Sequence, residues 1–264
     1  MILESAGVKL FYEISGDGPD LVLLHPYPSD HSFWRPAAAH WEGRFRLILP
    51  DLRGLGRSGV GEGATTMALL AEDMLRLCDH LKIERAVFGG CSVGGYVLFE
   101  LWRRCRERVK ALLLMDTRAG VDTPEGRAGR LKNADETLLR GSEWAVEQMI
   151  PRLFSPQTLR SRPDVVERAR VTMQHGGAKG MAAMQRGMAE RIDSTATLAS
   201  IDVPALVLGG EDDAPSPVKE LQRLAAGIRG AELKIVPRAG HFAAFEQPAE
   251  VGRLVREFLE AQGR

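Results

Sequence analysis

Short, unbroken apolar runs recur along this chain, and segments of helical spacing fill most of the intervals between them. Leu21-Val22-Leu23-Leu24-His25, Arg46 to Asp51, Ala86 to Gly90, Val109 to Met115, Ala205 to Gly209 and Leu233 to Val236 all have this character. A strand buried on both faces needs such a run, because neither side can carry polar groups. Val8 to Ile14 differs: it alternates apolar and polar residues before Gly16-Asp17-Gly18 and reads as an edge hairpin strand. Helices are predicted over Thr66 to Leu81, Val93 to Cys105 and Pro248 to Gln262. Strands alternating with helices predict an α/β chain with a mostly parallel, doubly wound sheet covered on both faces.

The alternation breaks once. Between Thr117 and Ile201 the pattern is helical, over Thr123 to Arg140, Ser142 to Phe154, Asp164 to Met173 and Lys179 to Arg191. An insertion of this length between two strands calls for a reason, and a helical cap over the strand ends supplies one. The expected organisation is a core from residues 1–119 and 201–264 with a cap from 120–200, in one compact domain of 264 residues.

Composition narrows the function. Lys plus Arg and Asp plus Glu number 35 each, so no net field gathers nucleic acid or an anionic membrane. No stretch approaches the length of a membrane span, and Met1 to Gly7 lacks the basic start and apolar run of a secretory leader. Cys78, Cys91 and Cys105 have neither Cys-x-x-Cys spacing nor a histidine cluster, which predicts free thiols, a cytoplasmic location and no zinc site. Nothing in the residues sets an oligomeric state.

The chemistry centres on Gly90-Cys91-Ser92-Val93-Gly94, which fits Gly-x-Ser-x-Gly between a buried strand and a helix. A sharp turn there strains the serine backbone, exposes the hydroxyl, and aims helix N–H groups at the same point. The alternatives are a phosphate-binding turn, which lacks its Gly-x-Gly-x-x-Gly or Gly-Lys-Ser/Thr signature here, and Cys91 as the nucleophile, which faces away from the apex. A serine needs a base, and His241, just after the last strand in Ala239-Gly240-His241-Phe242, is the best placed. His25 ends an early strand and is expected to order the following loop. His31, His40, His80 and His175 read as surface or packing residues. Asp213, beyond the strand Ala205 to Gly209, is the expected partner of His241, with Asp212 and Asp116 as rivals. The oxyanion donors are the Val93 N–H and, because Pro26 has none, the Tyr27 N–H.

These segments together resemble the α/β-hydrolase superfamily from end to end. The resemblance rests on His25 to Pro28, Asp51 to Ser58, Gly90 to Gly95, Gly210 to Asp213 with Pro217, and Gly240 to Phe242 with Glu246-Gln247-Pro248. Within it the chain is most similar to bacterial carboxylesterases and 3-oxoadipate enol-lactonases, although many relatives have His-Gly where this chain has His25-Pro26. The resemblance implies a cofactor-free serine hydrolase, with Ser92, Asp213 and His241 cleaving a small-molecule ester or lactone. The same residues would also suit a carbon–carbon bond hydrolase, a perhydrolase, or a non-catalytic receptor for a small molecule. Trp144, Met149, Phe154 and Phe242 are candidate pocket residues. Met173, Met181, Met184 and Met188 add to the apolar cap, where packing is an equal reading. No phosphate, nucleotide or metal-ligand motif occurs, so neither cofactor nor metal is expected.

Overall fold

The computed structural model describes residues 1–41 and 43–263. In chain order these form β1 (Ile2–Ser5), β2 (Val8–Ser15), β3 (Asp20–Leu24), α1 (Arg35–Ala38), β4 (Arg46–Pro50), α2 (Met67–His80), β5 (Ala86–Cys91), α3 (Val93–Cys105) and β6 (Val109–Met115). An all-helical stretch follows: α4 (Pro124–Arg140), α5 (Ser142–Leu153), α6 (Pro156–Ser161), α7 (Pro163–Gln174), α8 (Gly177–Ala189) and α9 (Thr195–Leu198). The chain then returns to the sheet with β7 (Ala205–Gly210), α10 (Val218–Gly227), β8 (Glu232–Val236), α11 (Ala243–Glu246) and α12 (Pro248–Ala261).

The strands make one sheet in the order β1-β2-β4-β3-β5-β6-β7-β8. β1 and β2 pair antiparallel, as do β2 and β4, while the strands from β4 to β8 run parallel. β5 lies between β3 and β6, and its residues are all buried, which explains its uninterrupted apolar run. α3 packs on β5 and against α2; α12 packs on α1, where Trp41 Nε1 donates to Gly252 O at 3.0 Å.

β1 escapes a reading by pattern, being short, with Ile2 61% exposed. What holds it is polar. Arg53, from the loop after β4, donates to both carboxylate oxygens of buried Asp73 on α2 and to the Ser5 carbonyl, and the Ser5 hydroxyl donates to Asp73 at 2.6 Å. A buried pair of this kind, once broken by losing one partner, costs about 3–5 kcal/mol.

Side-chain caps start several helices. Thr66 accepts the Leu69 N–H at the start of α2, Thr123 accepts that of Gly126 with Pro124 following, and Ser155 accepts that of Thr158 with Pro156 following. Gly141, at φ 94°, lets α4 turn into α5. The helical stretch is seated on the core where Thr65 N donates to Ala183 O of α8 at 3.0 Å. α6 and α10 are further helices that the periodicity did not single out.

Candidate active site

The carboxyl ends of the parallel strands converge, and each delivers one group. β5 delivers Ser92, whose φ of 54° and ψ of −112° lie where a non-glycine residue is strained. The Ser92 N–H donates to Met115 O at 2.9 Å, and the Thr117 hydroxyl donates to Ser92 O at 2.8 Å. Close backbone approach completes the turn: a Cβ on Gly90 would lie 2.4 Å from the Gly94 carbonyl carbon, and one on Gly94 would lie 2.4 Å from Leu24 O. Val93 opens α3, so its N–H has no intrahelical acceptor and points with the helix N-terminus toward the serine.

The other two groups meet that serine. His241 Nε2 lies 2.8 Å from Ser92 Oγ, and His241 Nδ1 lies 2.9 Å from each carboxylate oxygen of Asp213. Asp213 and His241 are both buried, and Asp213 also accepts the Ser216 N–H at 2.8 Å. The rival Asp212 is exposed. Asp116 lies at the end of β6 and has other partners. Cys91 is buried beneath the turn, and burial, then the Asp116 and Asp213 charges, push its thiol well above the usual range.

His25 orders the loop after β3. Its Nδ1 lies 3.0 Å from Pro26 O and its Nε2 accepts the Leu52 N–H at 2.9 Å; burial pushes its pKa down. The loop turns tightly at a cis Tyr27–Pro28 peptide, closed by Ser29 N donating to Pro26 O at 2.9 Å. Next to it the fold gathers Asp30, His31 and Asp51, a grouping of possible metal ligands that the sequence does not advertise. These atoms are aimed at protein partners. Asp51 accepts from the His31 N–H at 2.7 Å and the Arg57 N–H at 2.7 Å and pairs with His31 Nδ1 at 2.6 Å; Asp30 holds Ser32 and His175. His31 is therefore a buried brace and not a surface residue.

A cavity of about 590 Å³ opens over the Ser92–His241 pair. Tyr27, Trp144, Met149 and Met188 line it. Phe154 and Phe242 do not. They sit behind His241 in an aromatic cluster, their rings 5.6 Å apart at 77°, with Phe33 against Phe242, because a ring beside the histidine loop gains more by packing into the core. Met173, Met181 and Met184 are likewise fully buried packing residues.

One wall of the cavity carries Arg118 and Arg130 and is basic, and Arg191 lies outside the lining. Arg118, Arg130 and Arg191 surround the Asp122 carboxylate, each with a nitrogen 2.6 Å from one of its oxygens. Burial opposes its ionisation, but Arg191 and Arg130 hold Asp122 well below the usual carboxylate range. Three guanidinium groups thus share one carboxylate, and Arg118 and Arg191 each keep a buried Nε without a protein acceptor. Arg130 also donates to Gln185 Oε1 at 3.2 Å, and the Gln185 side chain is hydrogen-bonded to the Tyr27 hydroxyl, so the basic wall connects to the loop after β3. Glu220 lies across the mouth and is paired with exposed Arg223. In sequence these arginines look like the charged face of a solvated helix, which is why they were not singled out.

A family model for the alpha/beta hydrolase fold matches residues 19–248. The chain belongs to the α/β-hydrolase family. It is 27% identical over 260 residues to 3-oxoadipate enol-lactonase 2 of Acinetobacter baylyi, covering 98% of this chain and 96% of that one. Among solved structures, a malate-bound thermophilic esterase from Thermogutta terrifontis superposes with a TM-score of 0.94 at 38% identity, covering 98% of this chain and 96% of the other. The enol-lactonase from Burkholderia xenovorans LB400 superposes at 0.91 with 29% identity, covering 98% and 100%.

Proposed function

We propose that this α/β-hydrolase cleaves a small carboxylic ester or lactone through an acyl-enzyme on Ser92. The observation that carries the proposal is the unbroken row Asp213–His241–Ser92 at the floor of a cavity that small molecules can fill. His241 Nε2 takes the hydroxyl proton as Ser92 Oγ attacks the carbonyl carbon, and the carbonyl π pair moves to oxygen. The Val93 and Tyr27 N–H groups receive that oxyanion. Collapse expels the alkoxide, which takes the proton from His241; in a lactone it stays tethered to the acyl group. His241 then deprotonates water, which attacks the acyl carbon and releases the acid and Ser92. Asp213 keeps Nδ1 protonated and stabilises the imidazolium in both halves.

Residues 120–200 serve as a cap in this reading, since α4, α5 and α8 supply most of the cavity wall. Trp144 and Met149 face the apolar part of the substrate. The basic wall favours a substrate that carries a carboxylate away from the scissile bond, because Arg118, Arg130 and Arg152 face the cavity against Asp122 and Glu220. A malate-bound esterase among the similar structures is in keeping with that preference. Three free thiols suit a reducing, cytoplasmic setting.

The test is turnover of p-nitrophenyl butyrate together with labelling by a fluorophosphonate. One label per chain, at Ser92, and loss of turnover in a folded Ser92→Ala are expected, the loss being several orders of magnitude. Labelling at Cys91, full activity in Ser92→Ala, or binding without turnover would overturn the proposal.

A further inference from the structure

Asp116 is a buried acid beside the site that the proposed mechanism does not use. It follows β6 with φ 46°, is fully buried, and is absent from the cavity lining. Its own N–H donates to Leu208 O at 2.8 Å, fixing its backbone to β7. Its carboxyl group collects donors from three directions. Oδ1 accepts the Gly210 N–H at 2.9 Å, the Ala243 N–H is also hydrogen-bonded to the carboxyl group, and Cys91 Sγ lies 3.9 Å from Oδ2.

Each donor is a near neighbour of a different member of the Ser92–His241–Asp213 row. Cys91 immediately precedes Ser92, Gly210 is the end of β7 just before the turn of Asp213, and Ala243 opens α11 just after His241. The same Cys91 sulfur lies 3.8 Å from His241 O, so the serine and histidine segments also touch beneath the site. There is little slack: a Cβ on Gly209 would come within 2.9 Å of Asp116 Oδ1.

The geometry points to Asp116 as a positioning residue, whose carboxyl group is the shared acceptor that sets the spacing of the three segments bearing Ser92, Asp213 and His241. The inference rests on the serine-hydrolase reading for what that spacing is used for. The acceptor role does not require a charge. Burial, then the negative charge of Asp213, raise the Asp116 pKa well above the usual range, with Glu246 adding to it. A carboxyl group, neutral or ionised, keeps an acceptor oxygen for the Gly210 N–H, and in its neutral form it puts no second anion beside the carboxylate that partners His241. An amide of the same shape keeps one acceptor oxygen for the Gly210 N–H. An apolar side chain does not, and a loop displaced by about 1 Å costs on the order of 10²-fold in rate.

The experiment compares Asp116→Asn and Asp116→Leu with the wild type on p-nitrophenyl butyrate, with the rate expressed per serine titrated by an organophosphate. Asp116→Asn is expected to keep kcat within about threefold and to leave the acid limb of the pH profile in place. Asp116→Leu is expected to lose on the order of 10²-fold in kcat per titrated serine, with KM nearly unchanged because the cavity wall is untouched. Asp116→Ala replaces the leucine variant if that chain does not fold. Full kcat in the apolar variant would overturn the inference. So would an asparagine variant as slow as the apolar one or with a shifted acid limb, since either means the charge is what matters. A wild type that neither turns over ester nor labels at Ser92 would instead sink the hydrolase reading itself.

Discussion

Glu246 and Ser155 are joined by a hydrogen bond across 91 positions, Oε2 accepting the Ser155 N–H at 3.0 Å while Oε1 accepts the Gly240 N–H at 2.7 Å. One fully buried carboxylate therefore ties the residue before His241 to the start of α6 in the helical insertion. Phe242 N donating to Leu153 O at 3.3 Å and Arg162 donating to Glu246 O at 2.6 Å run alongside it. In Glu246→Gln one of the two N–H groups faces an amide NH₂. A buried donor left unsatisfied costs about 1–3 kcal/mol, or roughly 5 °C in Tm for a chain of this size. Thermal unfolding checks this, and an unchanged Tm would show the stitch to be dispensable.

Asp213→Asn is expected to drop kcat by roughly 10⁴ without unfolding the protein, because the amide leaves the imidazole in the wrong tautomer. Asp212→Asn, one position earlier but exposed, is expected to change kcat by less than about threefold. Steady-state kinetics on one chromogenic ester decide between them, and equal damage in the two variants would contradict the assignment.

The cysteines make a third expectation. Burial pushes Cys78 up to about 12 and Cys91 well above its ordinary value, so both stay as thiols at neutral and mildly alkaline pH. Iodoacetamide at pH 8 should modify Cys105 first and leave hydrolysis intact. Rapid alkylation of Cys91 in the native protein, found by peptide mapping, would contradict its burial.

Asp122 makes stability depend on pH. Its folded pKa is below the unfolded value of about 3.9, so its stabilisation is complete above that value and is lost as pH falls through the folded one. Asp122→Asn should cost about 3 kcal/mol at pH 7, since it leaves three arginines without their shared anion. The gap between wild type and variant should narrow below about pH 4. A gap that stays constant down to pH 3, measured by denaturant unfolding, would mean that packing and not charge holds the cluster.

The sheet and the converging Ser92, His241 and Asp213 were legible because each follows an apolar run and sits in a turn, and those signals are local. Phe154 and Phe242 were placed in the pocket for want of a direction: an aromatic residue next to His241 serves the core as readily as the cavity. Trp144 and Met149 carried the same ambiguity and fell on the other side. The basic wall was hidden because Arg118, Asp122, Arg130 and Arg191 come from a loop, a helix and the end of another helix, and no spacing links them. β1 went unread because its anchoring lies in Arg53 and Asp73, far along the chain. The sequence offers Asp116 only as a rival to Asp213, because what it holds exists only where strand ends distant in sequence come together.

The row beneath the cavity is assembled from distant parts of the chain, with His241 Nε2 reaching Ser92 Oγ across 149 positions. β8, at the sheet edge, and the loop after it must be in place before that distance closes. Contacts so distant in sequence form late, after the loop-closure entropy of the intervening chain has been overcome. If the proposed ester cleavage is this protein's activity, turnover is a timer for its folding: during refolding, secondary structure and collapse come first, and cleavage is expected to recover with the slowest phase. A ribosome-bound chain that has not yet released the loop after β8 holds Ser92 without the His241 ring that faces its hydroxyl in the folded protein.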